Sequence, residues 1–126
     1  TYEANTLRHV VFLNEVNNQF QNIELPYFTQ NSIGKAITSI ELDGKTYTIL
    51  AGNHFDTDAE FTVYDASNGH VMAWNPGETN FELLPVFRAG FLAGGNVRKL
   101  KSITVGSKKA ILILNNDDLP RLYVRN

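Results

Sequence analysis

Residues 9–14 read HVVFLN, and residues 70–75 read HVMAWN, which is the same pattern 61 positions later. Both stretches begin with histidine, continue with apolar residues and end with asparagine. The residues that follow also match, with offsets between 59 and 63. An internal repeat is a strong architectural signal, because each repeat unit buries its apolar face against its neighbours. The two stretches therefore predict a fold built from related halves.

The matches divide the chain into repeats. Repeat one covers about 9–53, and repeat two covers about 70–116. The C-terminal segment 121–126 reads as the start of a third repeat, because residues 122–126 align with residues 10–14. The 126 residues amount to one domain, which is long enough to bury a core.

Each repeat reads as four short strands separated by turn residues. The predicted strands are about 9–14, 19–25, 36–42 and 46–52 in repeat one, and about 70–75, 80–86, 97–105 and 109–114 in repeat two. Asp43-Gly44 lies between two alternating apolar runs, which is a strong signal for a hairpin.

The first predicted strand has an alternative. The apolar spacing from Leu7 to Asn14 also fits a helix. The matching stretch of repeat two, however, runs into Asn75-Pro76-Gly77, where a helix cannot continue. One structure should fit both copies, so we predict a strand.

Four strands per repeat predict an all-β fold of two four-stranded antiparallel β-propeller blades, plus the first strand of a third. A propeller usually closes with about four to eight blades. Three arrangements follow: part of a larger propeller, a ring of two-blade chains, or a small β-barrel or sandwich of two related halves. We favour the first. The chain begins at Thr1 with neither an initiator methionine nor a signal peptide, as expected of a processed chain or a piece of a longer one.

Composition disfavours several classes of protein. The net charge of -2 and the absence of long basic runs argue against a nucleic-acid partner. No apolar run approaches the ~20 residues of a membrane span, so no membrane insertion is predicted. The chain has no cysteine, and so has neither a disulfide framework nor a thiolate metal site.

Catalysis is not predicted. The three histidines are His9, His54 and His70, and duplication explains the first and the last. None has the spacing of a usual metal-binding pair, and neither a nucleophile elbow nor a phosphate loop is present. The adjacent carboxylates Asp117 and Asp118 are expected to cap a turn. We therefore predict a protein that is not an enzyme and has no cofactor.

The insertion between the repeats, residues 54–67, is acidic and aromatic. Long loops in compact folds often carry function. Its candidate binding residues are Asp56, Asp58, Glu60, Tyr64 and Asp65. Asp56, Asp58 and Glu60 alternate like half of a calcium site, and any calcium would be expected there. Three interpretations of this loop remain open. It is a solvated loop whose Asp side chains cap turns, a cation site, or a surface for a ligand or partner.

Several short motifs resemble the C-terminal repeats of bacterial secreted proteins with FG-GAP/VCBS repeats. They include FLN at 12–14, LP at 25–26, ILAGN at 49–53, YDAS at 64–67, GNVR at 95–98 and NND at 115–117. The resemblance runs from about residue 9 to residue 126. It implies a propeller of the integrin-α type that is exported, whether extracellular, on the cell surface or periplasmic. It also implies a binding or scaffolding module for a protein or a surface, which packs against further blades or other subunits.

The same family has calcium loops of the form Asp-x-Asp-x-Asp-Gly-x-x-Asp. Here the corresponding stretches read ELDGKTY at 41–47 and TVGSKKA at 104–110. The first keeps two carboxylates and adds a lysine, and the second has no carboxylate. Calcium requires about six to eight oxygen ligands. The family's calcium sites are therefore not expected in these hairpins.

A second function class is a carbohydrate-binding module, or an accessory part of a secreted enzyme. Aromatic side chains that could stack on sugars are Tyr47, Trp74, Phe81, Phe87 and Phe91. Aromatic residues in strands mostly lie in the core, however.

Overall fold

The computed structural model describes residues 1–116 and 118–125. Asp117 of the predicted carboxylate pair and Asn126 of the predicted third repeat lie outside the described residues. The strands are β1 Val10–Asn14, β2 Phe20–Glu24, β3 Ala36–Leu42, β4 Lys45–Ala51, β5 His70–Asn75, β6 Asn80–Leu84, β7 Val97–Val105, β8 Lys108–Asn115 and β9 Arg121–Val124. A 3₁₀ turn covers Tyr27–Asn31, and a single α-helical turn covers Val86–Ala89.

The strands form three antiparallel sheets, with the orders β1-β2, β3-β4-β5-β6 and β7-β8-β9. The all-β prediction is confirmed, and so is the choice of a strand over a helix for β1. The predicted grouping into two four-stranded units is wrong. The middle sheet takes β3 and β4 from repeat one and β5 and β6 from repeat two, because β4 pairs with the next strand along the chain. In the described part of the chain, no sheet closes into a barrel.

β4 pairs with β5 in the middle sheet in the same register, relative to the repeat, as β8 pairs with β9 in the third sheet. Tyr47 of β4 lies opposite Ala73 of β5, and Ala110 of β8 lies opposite Val124 of β9. Ala110 aligns with Tyr47 in the repeat, and Val124 aligns with Ala73 through the match of 122–126 to 10–14. β9 therefore sits on β8 as β5 sits on β4.

The predicted hairpin between β3 and β4 is confirmed. The two strands pair along their full length, from Ala36 opposite Ala51 to Leu42 opposite Lys45. Asp43 and Gly44 form the turn with φ of 51° and 73°. Two positive φ values are the signature of a type I′ turn, whose twist matches that of the flanking strands.

The middle sheet is covered on both faces, because successive side chains of a strand point to opposite sides. Ile49 joins a cluster that includes Leu100, Ile111 and Ile113 of the third sheet. Leu50, the next residue, packs with Met72 and Leu25 in a second cluster beside the β1-β2 hairpin. β3 also lies against β7, where the Ser102 N–H donates to Thr38 Oγ1 over 3.3 Å.

The β1-β2 hairpin packs against the middle sheet through the face that carries Val11, and not through the face that the repeat would predict. Val11 lies opposite Ile23, and this face meets the Met72 cluster of the middle sheet. Val11 is the repeat equivalent of Met72, so equivalent faces meet each other. In a regular stack of repeats, opposite faces would meet. The consequence is that Phe12 and Phe20, on the other side of the hairpin, are each 63% exposed.

The long connections between strands lie together at one end of the molecule. The pairing places the start of β3, the end of β4, the start of β5 and the end of β6 at the same end of the middle sheet. Lys35 contacts Asn96, just before β3 and β7, so these strands start side by side. Segments 27–35, 52–69 and 85–96 therefore lie together, and we call them the connection face.

Candidate functional site

The insertion is anchored at its base by a buried asparagine. Asn53 is fully buried, and its Nδ2 donates to the carbonyls of Ser67 at 2.8 Å and Gly95 at 3.1 Å. Its Oδ1 accepts from the Ser67 N–H at 3.0 Å and from the Ser32 hydroxyl at 2.7 Å. All four hydrogen-bonding positions of the amide are filled. This one side chain joins both ends of the insertion to the segments that precede β3 and β7.

Above this anchor, the insertion forms a small closed loop. His54 and Tyr64 exchange two backbone hydrogen bonds of 2.8 Å, and their rings stack with centroids 6.4 Å apart. At the tip, the Phe61 N–H donates to the Asp58 carbonyl at 2.9 Å, and the Thr57 hydroxyl donates to the Phe61 carbonyl at 3.2 Å. The loop therefore has local structure of its own.

Asp56 docks the loop onto both repeats. Its Oδ2 accepts from Arg98 Nη2 at 2.5 Å and lies 3.8 Å from Lys35 Nζ. The hydrogen bond from Arg98 lowers the pKa of Asp56, and the charges of Arg98 and Lys35 act in the same direction. Lys35 and Arg98 occupy equivalent repeat positions, so duplicated cations converge on one carboxylate. Lys35 Nζ also donates to Asn96 Oδ1 at 3.2 Å.

The other predicted site residues do not join Asp56 in a metal site. Asp58, Glu60, Tyr64 and Asp65 are exposed, and Asp58 and Tyr64 contribute backbone groups to the loop. Across residues 1–116 and 118–125, no three His, Asp or Glu side chains are grouped to hold a metal ion. The calcium half-site is not assembled, because two cations already face Asp56 and would repel another.

A shallow depression lies on the insertion. Its volume is about 320 Å³, and its lining consists of His54, Asp56, Thr57, Asp58, Phe61 and Tyr64. Phe61 is 64% exposed and Tyr64 is 55% exposed. Aromatic rings and carboxylates thus share one surface, which suits a ligand with both apolar and hydrogen-bonding groups.

The two helical turns carry exposed aromatics, of which the sequence analysis named Phe87 but missed Tyr27 and Phe28. Tyr27 and Phe28 follow Pro26 and pack edge to face, and Phe87 stands two residues after Pro85. All three side chains are mostly exposed on the connection face. The signal was the repeated Leu-Pro pair, which initiates a turn in each repeat.

The five aromatics predicted to stack on sugars do not form one surface. Phe91 is buried against Tyr123, at a centroid distance of 5.1 Å. Trp74 packs on Phe81 at 4.9 Å, and both are half-buried. Tyr47 is also half-buried, whereas Phe87 is exposed. Strand aromatics mostly packed against neighbours, as their alternation with polar residues indicates.

A larger cavity of about 380 Å³ lies between the second and third sheets. Its walls include the core residues Ile40, Ile49 and Ile111. Arg125 Nη2 donates to Asp43 Oδ2 at its rim over 2.5 Å, which raises the pKa of Arg125. We interpret this space as a gap in the packing of the two sheets.

Two of the three histidines stand at strand starts and have structural contacts. His9 Nδ1 lies 2.9 Å from the Thr29 carbonyl, and the Gln30 amide bonds both backbone groups of His9. His70 is half-buried beside Ser67, with Nε2 3.4 Å from the hydroxyl. Burial lowers the pKa of His70, and the nearby His9 adds to the effect.

No family model matches the chain, and no curated protein is significantly similar to it. Within the described residues, no helix is long and apolar enough to span a membrane. The fold is therefore that of an all-β repeat protein, and its long connections lie together on the connection face.

Proposed function

We propose that the sheets are successive blades of an FG-GAP/VCBS-type β-propeller, and that the chain is a non-catalytic extracellular module for binding or scaffolding. Three features support the blade assignment. The middle sheet has four strands in chain order, β3 lies against β7, and β9 repeats the register of β5. The export and the family rest on the sequence motifs, and cell fractionation tests the export directly.

The structure of the connection face is the main observation that supports the binding role. Its insertion has a rigid base at the buried Asn53 and an exposed aromatic tip. Recognition surfaces commonly combine a rigid scaffold with exposed loops. Tyr27, Phe28 and Phe87 extend the apolar surface on the same side. Aromatic side chains are enriched in protein interfaces, so we propose a protein partner.

The charges of the insertion indicate the chemistry of that partner. Asp56 is held by Arg98 and Lys35, whereas Asp58 and Glu60 are exposed beside Phe61. An exposed acidic group near an aromatic ring suits a partner that presents a basic side chain next to apolar surface. The partner is therefore proposed to be mixed basic and apolar at the contact.

The test replaces residues 56–62 by Asn-Gly. Asn-Gly favours a two-residue hairpin turn, which would join Phe55 to Val63 and keep the His54–Tyr64 bridge. Affinity capture from the cell envelope of the source organism should recover a protein with the wild-type chain and lose it with this variant. The circular dichroism of the strands should stay unchanged.

The matched control is Val16→Ser. Val16 is 84% exposed in the β1-β2 turn, at the edge away from the connection face. This variant should capture the same protein as the wild type. Equal capture by the 56–62 replacement would remove the insertion from the contact, and loss of the β signal would show that the insertion is structural.

The depression on the insertion favours carbohydrate as a second candidate ligand. Phe61 and Tyr64 could stack on a sugar ring while Asp58 accepts hydrogen bonds from its hydroxyls. Calorimetry with a panel of soluble polysaccharides tests this role. Binding that disappears in Phe61→Ala and Tyr64→Ala would favour the glycan, and absence of heat across the panel would leave the protein partner.

A further inference from the structure

We propose that the gap between the second and third sheets is a binding site for an alkyl carboxylate of about ten carbon atoms, with its chain between the sheets and its head beside Arg125. The volume of the gap, about 380 Å³, lies in the range of about 300–1,000 Å³ that is common for small-molecule sites. None of the insertion residues 54–67 lines it. The site is therefore distinct from the binding surface proposed above.

The gap exists because the two sheets are closest at β3 and β7 and separate towards their outer strands. Successive side chains of a strand point to opposite sides, so each sheet presents one face to the gap. The middle sheet presents Tyr47, Ile49 and Val71, and Ile49 lies directly opposite Val71. The third sheet presents Ile111 and Tyr123, which also lie directly opposite each other. Both walls are therefore mainly apolar.

The core between the two sheets is incomplete at the gap. The partly buried apolar residues that pack against this core all line the gap, and they are Leu42, Tyr47, Val71, Ala89 and Tyr123. Protein interiors are normally packed as densely as organic crystals. Apolar side chains arranged around an open space therefore favour an apolar molecule that removes them from water. An alkyl chain in the gap would complete the core.

The strand register gives the length of the chain that fits. Leu42 lies opposite Lys45, and Ile49 is four residues further along β4. With a rise of about 3.3 Å per residue, the wall from Leu42 to Ile49 is about 13 Å long. Three bonds of an extended chain span about 3.3–3.6 Å, so about ten carbon atoms cover this distance. Decanoate has the matching length.

The charges at the rim select the head group. Lys109 and Arg125 line the gap near the turn between β3 and β4, and Asp43 is the carboxylate beside them. Arg125 donates to Asp43 through Nη2, and a guanidinium has further N–H donors that can bind a second carboxylate. Two cations with one carboxylate favour an anionic head. Arg88 lines the gap from the α-helical turn, where its exposed side chain can keep its charge in water.

Calorimetry with three ligands of equal chain length tests the proposal on the full chain. Decanoate, decanol and decylammonium are each used below the concentration at which they form micelles. We expect decanoate to bind at least about tenfold more tightly than decanol, because its head gains charge-assisted hydrogen bonds. Decylammonium should bind more weakly still, because Lys109 and Arg125 repel it. Equal affinity for the three ligands, or no heat with decanoate, would overturn the proposal.

Two substitutions at the rim should move the affinity in opposite directions. Asp43→Asn keeps a hairpin turn of the favoured Asn-Gly type, removes a like charge and frees the guanidinium, so it should lower the dissociation constant for decanoate. Arg125→Gln should raise it by about tenfold. The control is Lys101→Gln, because Lys101 lies opposite Leu112 on the other face of the third sheet from Ile111. An Asp43→Asn chain that binds no more tightly than the wild type, or an Arg125→Gln chain that binds equally well, would overturn the head-group contact.

Methyl-resolved NMR locates the ligand without any substitution. Decanoate should shift the methyl signals of Ile49 and Ile111, which face the gap, and leave those of Leu50 and Met72 in the second cluster unchanged. Shifts of equal size in both clusters would overturn the site. The 56–62 replacement should bind decanoate with the wild-type affinity, so loss of the partner protein and loss of decanoate are separate outcomes.

Discussion

The connection from β4 to β5 and the connection from β8 to β9 hold the same place in the repeat but differ in length. The first spans residues 52–69 and the second begins at Asn116. Asn53 is fully buried in the long connection, whereas its repeat equivalent Asn116 is exposed. In the long connection, the buried Asn53 amide therefore anchors the base of the insertion to the segments before β3 and β7.

The largest effect is expected at that anchor. Asn53→Ala leaves the Ser67 N–H and the carbonyls of Ser67 and Gly95 without their present partner. Unsatisfied buried polar groups cost about 1–3 kcal/mol each, and some will rebond, so we expect a loss of about 2–4 kcal/mol in the free energy of unfolding. Urea denaturation measures it.

Asn116→Ala is the matched control for this prediction. Its side chain is exposed, so the loss in the free energy of unfolding should stay within about 1 kcal/mol. Similar losses in the two variants would mean that the insertion has not changed the role of this repeat position.

The next effect concerns the residue that follows each connection. His70 begins β5 opposite Leu50, and Arg121 begins β9 opposite the equivalent Ile113. Burial lowers the folded-state pKa of His70, so the unfolded chain binds the proton more tightly. His70 therefore costs nothing above its unfolded pKa of about 6.5, and stability falls as the pH drops from there towards the lower folded-state pKa.

Urea denaturation at pH 7.5 and pH 5.5 measures this dependence. His70→Gln keeps a polar side chain without a titrating group, and it should reduce the loss of stability between the two pH values. His54→Gln removes a histidine from the insertion and should retain the loss. A His70→Gln variant with the full wild-type loss would assign the pH dependence to other groups.

The sequence predicted the strands well, and the sheets less well. Alternation, turn residues and the repeat located β1 to β9, and the Asp43-Gly44 hairpin followed from its backbone chemistry. The grouping failed because a repeat in sequence does not state which neighbour a strand pairs with. The reversed face of the hairpin could not be predicted either, since Val11 and Phe12 are both apolar and either could face the core.

The sequence predicted which segment forms the candidate site, but it did not predict the contacts that the segment makes. Length and composition indicated residues 54–67, but Asp56 was considered there with Asp58 and Glu60 as half of a calcium site. Its actual neighbours, Lys35 and Arg98, lie far away in sequence and meet it because β3 and β7 start side by side. The alignment of Lys35 with Arg98 was visible, but their convergence needed the fold.

The smallest effect is expected at this contact. Asp56 is half-exposed, so its ion pairs contribute little to global stability and are screened by salt. Asp56→Asn should instead loosen the tip: amide hydrogen exchange at Phe61 and Tyr64 should accelerate while exchange in β4 and β8 stays constant. In the wild type, 1 M salt should act in the same direction, since the Debye length falls to about 3 Å.

Asp56 binds its proton more weakly in the folded state, so its contribution is present above about pH 4 and is lost as the pH falls below that value. Asp58→Asn is the control, because the loop uses the Asp58 carbonyl. Equal acceleration in the two variants would mean that net charge, and not the contact with Arg98 and Lys35, holds the tip in place.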